Sequence, residues 1–164
     1  MRFEYWKQYE VFEPLWWFLL MLLIIPWLIW CKLVDKGRIK DILLYGLFVA
    51  LTTTYLDSIG NELVLWSYPH SLLPLMPKLF PVDISLLPVV FMLIYQYFPQ
   101  WKPFTIATII TSLLSAFIVE PVFVYVGIYE MYKWEFWYSF IIYVALSFIF
   151  KWSNQWLDLR NPKQ

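Results

Sequence analysis

ILLYGLFVALTTTYLDSIGNELVLWSYP, residues 42–69, decides how this chain is read. Its first half is apolar enough for lipid. The run then passes without a break into Asp57, Asn61 and Glu62 and ends on a Trp-Ser-Tyr-Pro turn. The apolar residues are continuous and do not alternate, which fits a helix and not a barrel strand. At 100° per residue, Gly46, Ala50, Thr53, Asp57, Gly60 and Asn61 share one arc of about 100°. Small residues let a second helix approach, and Thr and Asn can hydrogen-bond across the contact. Asp57 is therefore expected to face protein. Glu62 lies on another face, nearer the headgroups, where Trp66 and Tyr68 are expected to anchor the end.

The rest of the chain has the same character. Of 164 residues, 62% are hydrophobic, 23% aromatic and 15% charged. A soluble domain carries about a quarter charged residues and fewer large aromatics, so the composition is that of an integral membrane protein. Basic and acidic residues cancel at twelve each, which leaves no positive field for nucleic acid. A single Cys31 makes no internal disulfide, and a single His70 makes no histidine metal site. No metal or cofactor is expected. Gly-rich phosphate loops, His-Glu zinc motifs and nucleophile elbows are absent from the sequence.

A hydrocarbon core of about 30 Å needs about 20 helical residues. Five stretches approach that, giving an all-α polytopic bundle in a single membrane domain over residues 1–164. The spans are expected at 15–31, 42–60, 84–101, 103–129 and 136–150, with Pro26 bending the first. Between the second and third lies a Pro-rich loop, 67–83, too broken to span. The opening MRFEYWKQYEVFEP has three acids against two bases and no small-residue cleavage site after it, which argues for a retained first span and a surface-lying lead segment.

Lysine and arginine set the orientation. Lys32, Lys36, Arg38, Lys40, Lys102, Lys151, Arg160 and Lys163 fall on one side, eight against Arg2, Lys7, Lys78 and Lys133 on the other. The N-terminus is thus expected outside and the C-terminus in the cytoplasm.

Acids within spans cost roughly 2.5–3.5 kcal/mol on insertion scales and so mark candidate sites. Glu120 follows a helix half carrying Thr105, Thr108, Thr111, Ser112, Ser115 and Ala116, and extends its edge. Residues 121–129 add about 13 Å of uncharged helix beyond it, which places it deep in the bilayer. Pro121 frees the carbonyl of Phe117. Asp57 sits nearer the surface, where an interfacial role would also explain it. Asp83, in FPVDISLLP, stands where an N-cap belongs. Gln96 is placed to bond inward, and Trp152 and Trp156 to anchor at the interface. Asp57, Glu120 and Asp83 are the candidate catalytic groups. Asp57, Asn61, Glu62, Glu120, Gln96 and Trp66 are the candidate ligand or helix-contact residues.

With LDSIGNELVLWSYP, FPVDISLLPVVFMLIYQYFPQWKPF, AFIVEPVFVYVGIY and WYSFIIY in view, residues 40–150 resemble a group of small, uncharacterised multi-pass membrane proteins of Bacillus and related spore-forming bacteria. That resemblance implies a bacterial plasma-membrane protein of about five spans and supplies no activity. A fainter one concerns the membrane-embedded lycopene cyclases, which close carotenoid rings by acid catalysis. Asp57 with Trp66, then Pro81-Val82-Asp83, are similar in order to the cyclase motifs, although Ile84 stands where those enzymes carry a second acid.

The expected function is a non-catalytic binding, sensing or assembly subunit whose carboxylates sit at helix contacts. Its partners would be the bilayer and another membrane protein or a second copy. One alternative is an intramembrane site that binds or transforms a hydrophobic molecule by carboxyl acid–base chemistry. It requires Asp57, Glu120 and Asp83 to meet in one cavity between the second, third and fourth helices. A small proton-linked transporter component is the other alternative.

Overall fold

The computed structural model describes residues 6–7, 9–73, 76 and 79–160. Arg2, Lys78 and Lys163 of the charge comparison, and parts of the lead segment and the Pro-rich loop, lie outside the described residues. The described residues are mostly helical, with five helices in the bundle. They are α1 (Pro14–Leu33), α2 (Ile39–Glu62), α3 (Val82–Tyr97), α4 (Trp101–Val126) and α5 (Phe136–Arg160). All but α3 are long and apolar enough to cross a membrane.

At about 24 Å, α3 is shorter than the bilayer core. It can be short because it is the central helix. Val89, Phe91, Met92, Ile94 and Tyr95 are all buried, and α1, α2 and α4 each pack on it. Its end corrects the expected span 84–101. The chain leaves the helix at Phe98 (φ −118°, ψ 71°), outside the α region that Pro99 disfavours for the residue before it, and Trp101 opens α4 instead. Pro88 supplies no N–H to the ladder of this turn. Trp27 Nε1 donates to the Ile84 carbonyl at 3.2 Å, and Ser85 Oγ donates to the Leu23 carbonyl at 2.7 Å. Those two bonds fasten α1 to α3.

Close approach explains the packing of α2. A Cβ on Gly46 would run into the Met92 side chain. Beside it the Tyr45 and Tyr95 rings stack at 4.4 Å. The same end of the bundle holds a lysine expected in a loop. Lys151 is 0% exposed. Its Nζ donates to the Phe98 carbonyl at 3.0 Å and sits 3.9 Å from the Phe104 ring centre and 5.2 Å from that of Trp101. Asn154 Nδ2 donates to Tyr95 Oη and to the Asp41 carbonyl, both at 3.0 Å. With these two side chains facing inward, α5 continues past the expected end at residue 150, and Lys151 leaves the count of loop cations.

At the opposite end, two short strands pair antiparallel, β1 (Trp66–Ser67) with β2 (Glu130–Met131). The expected loop 67–83 thus begins in a strand and ends inside α3. The fourth helix stops at Val126, not residue 129, because Gly127 turns left-handed at φ 83° and lets Ile128 N–H return to the Phe123 carbonyl at 2.9 Å. This ladder roofs the cavity described next.

Candidate functional site

Two irregular turns set the site. Val82–Leu86 in α3 and Ser115–Val119 in α4 are π-helical. Such turns insert a residue, re-aim the side chains around them and recur at functional sites. Asp83 lies within the first turn and Glu120 directly after the second. Pro121 follows Glu120 and supplies no N–H, so the helical ladder is interrupted directly after the second turn.

Asp83 and Glu120, with Asp57 of α2, line one cavity of about 320 Å³ bounded by α2, α3, α4 and α5. That is the small end of the range for small-molecule sites. Its walls are otherwise mainly aliphatic and aromatic, among them Leu56, Leu87, Val90, Phe123 and Leu146. The cavity is partly open, and Leu56, Leu114 and Val119 of its wall are also exposed on the outside of the bundle.

The carboxyls are not equivalent. Asp57 is gripped. Trp66 Nε1 donates to its Oδ1 at 3.0 Å, and Tyr68 Oη donates to the same oxygen. The chain makes this grip by folding back over the end of α2. Val64 takes the left-handed conformation at φ 53°, Leu65 N–H reaches the Gly60 carbonyl at 3.0 Å, and the Trp66 ring lands on Gly60. A Cβ at Gly60 would collide with that ring. Burial, and then the neighbouring Asp57, push the Tyr68 phenol well up from its ordinary value, so it stays a donor. Tyr129, stacked on Tyr68 at 5.3 Å, is pushed up by burial first and then by Glu120.

Glu120 is half satisfied. Its Oε1 accepts from Tyr143 Oη at 2.8 Å, and Ser139, itself taking the Trp134 Nε1–H at 2.9 Å, stands beside the carboxyl. Its Oε2 is buried with no hydrogen-bond partner. Asp83 does not cap its helix, which begins one residue earlier with no side-chain cap. The aspartate is 3% exposed, and its Oδ2 also has no partner. Leaving such oxygens unpaired in a dry interior is expensive, and buried polar atoms normally have partners.

The remaining candidates lie elsewhere. Gln96 sits at the lysine-rich end, accepting from Asp35 N–H at 3.0 Å and donating to the Leu33 carbonyl at 2.9 Å. Glu62 is exposed and Asn61 half-buried, and neither lines the cavity. Trp66 and Tyr68 are buried over Asp57 instead of anchoring at a surface. Glu120 lies at the centre of the buried seam of α4, with Thr108, Ser112, Ala116 and Phe123, and not at its edge.

Three contributors had no place among the candidates: Tyr143, Ser139 and Trp134. Ser139 and Tyr143 in the mainly apolar WYSFIIY were the available signal, because a buried phenol needs a partner. Among the described residues, no group of three or more His, Cys, Asp or Glu is placed to hold a metal ion. No family model, curated protein or solved structure matches this chain.

Proposed function

We propose that this chain is a plasma-membrane protein whose helices enclose a binding pocket for an apolar small molecule, held at its polar end by Asp83 and Glu120. The observation that carries the reading is the pair of unpartnered carboxyl oxygens, Asp83 Oδ2 and Glu120 Oε2. They come from different helices and line one mainly apolar cavity. Asp57 serves the assembly of the site by fixing the roof through Trp66 and Tyr68. The membrane lies across α1, α2, α4 and α5, with α3 threading the centre and the lysine-rich end in the cytoplasm.

Native mass spectrometry of the protein released from mild detergent tests the pocket. A defined extra mass on the wild type, reduced in Glu120→Gln, is the expected result. A bare wild-type mass after extraction in several detergents, with added apolar compounds giving none, would overturn it.

A second reading, acid–base transformation of the bound molecule, is favoured by the same unpartnered oxygens, since each could give or take a proton at the ligand. It predicts that the bound mass changes chemically on incubation with wild type and not with Glu120→Gln. Binding suits the molecule better than transport. Beyond Val90 and Leu146 the bundle is filled by the Tyr45–Tyr95 stack and the Lys151 cage.

A further inference from the structure

Resting on the pocket reading, we infer that the ligand carries an ammonium head on an apolar body. Donors and acceptors around the cavity are out of balance. Three carboxyls line it and, among the described residues, no Lys, Arg or His does. Several of the side-chain donors around them are committed within the protein, while the hydroxyls of Thr111, Ser115 and Tyr129 also line the wall. Trp66 and Tyr68 give theirs to Asp57, Tyr143 to Glu120, and Trp134 to Ser139. Thr53 Oγ1 turns to backbone carbonyls, that of Asp83 among them at 3.2 Å.

Among the described lining residues, the buried polar atoms left without a partner are acceptors. Asp83 Oδ2 and Glu120 Oε2 are both on side chains more than nine-tenths buried, at 3% and 9% exposure. A carboxylate or phosphate head would bring a further negative charge against them, and a ketone or ether would bring only acceptors. An alcohol brings one donor hydrogen for two oxygens. A primary ammonium brings three, with the charge that a cluster of buried acids lacks. Tyr129 and Trp134 in the same wall add ring faces, which favour a cation once water is excluded. The aliphatic remainder of the wall takes the body of the molecule.

Three probes of one chain length separate the head group from the pocket: dodecylamine, dodecanol and dodecanoate. Each is titrated against the full chain in phosphatidylcholine nanodiscs, and apparent affinity is read from the shift in thermal unfolding. Wild type should prefer the amine to the alcohol by about tenfold or more, the ratio carried by one charge-assisted hydrogen bond, and should reject the carboxylate. The double variant Asp83→Asn with Glu120→Gln should lose the amine preference while still binding dodecanol. This arm is needed only for assignment, because the three-probe comparison stands on wild type alone.

Equal affinity for alcohol and amine, or a preference for dodecanoate, with binding abolished by the cavity-filling Val90→Phe, would overturn the ammonium head and leave the pocket standing. If no probe saturates on wild type, or all bind Val90→Phe equally well, the pocket itself is wrong.

Discussion

Individual residues at the roof of the cavity carry the least expected chemistry. Asp57 could be read as inward-facing because Gly46, Thr53 and Gly60 share its stripe. Its partners could not be read, because the fold-back depends on Val64 adopting φ 53°. A glycine there would have announced the turn; a β-branched residue announces continuing structure. Replacing Val64 with Gly should raise stability by about 1 kcal/mol, strain relief exceeding the added chain entropy. A lowered melting temperature would contradict that. Gly60→Ala pushes a Cβ into the Trp66 ring, an overpacking that costs about 1–3 kcal/mol and should loosen the grip on Asp57. Tyr68 adds a pH dependence. Its phenol is pushed up in the folded state, so the native protein holds that proton more tightly than the unfolded chain does. The stabilisation is complete below the unfolded phenol value of about 10 and is lost as pH climbs above it. Tyr68→Phe should lower stability at pH 8 and flatten the decline above about pH 10, as melting temperatures across pH will report.

At the scale of elements, the helices were legible from apolar runs, and their ends often were not. The third was expected to reach Trp101, but the Phe98-Pro99 pair turns the chain out first. The fifth was expected to stop before Lys151, since a charge normally marks the edge of lipid. Only the tertiary structure supplies what makes that lysine internal: the Phe98 carbonyl and the rings of Phe104 and Trp101. Lys151→Met keeps most of the volume and removes the ammonium. It should cost about 2 kcal/mol through the lost cation–π contact, with the free Phe98 carbonyl adding to it. The loss should appear as a lower melting temperature and faster hydrogen exchange around residues 95–100. Unchanged stability would show that the cage contributes nothing. The cap expected at Asp83 fails for a related reason. That sequence position suits a cap, but α3 begins at Val82 in a π turn that carries the aspartate into the interior.

For the whole molecule, the helical membrane class followed from composition and continuous apolar runs, whereas the cavity is a product of packing that no single segment displays. Asp83 and Glu120 line that one cavity from two helices, the first within the π turn of α3 and the second directly after that of α4. Orientation is tested in a Cys31→Ser background, where a membrane-impermeant thiol reagent applied to intact cells should label Lys133→Cys and spare Lys36→Cys. The reverse pattern would invert the topology. The central claim, that buried carboxyls face an apolar cavity reachable from the lipid side, has a direct chemical test. An apolar carbodiimide partitions into lipid and adds to carboxyl groups there, while a water-soluble one reaches only wetted acids. Peptide mapping after treatment of the membrane-embedded protein should find the apolar reagent on Asp83 or Glu120 and the water-soluble reagent on exposed acids such as Glu62. Labelling of Glu62 by both reagents, with Asp83 and Glu120 untouched by the apolar one, would contradict the account.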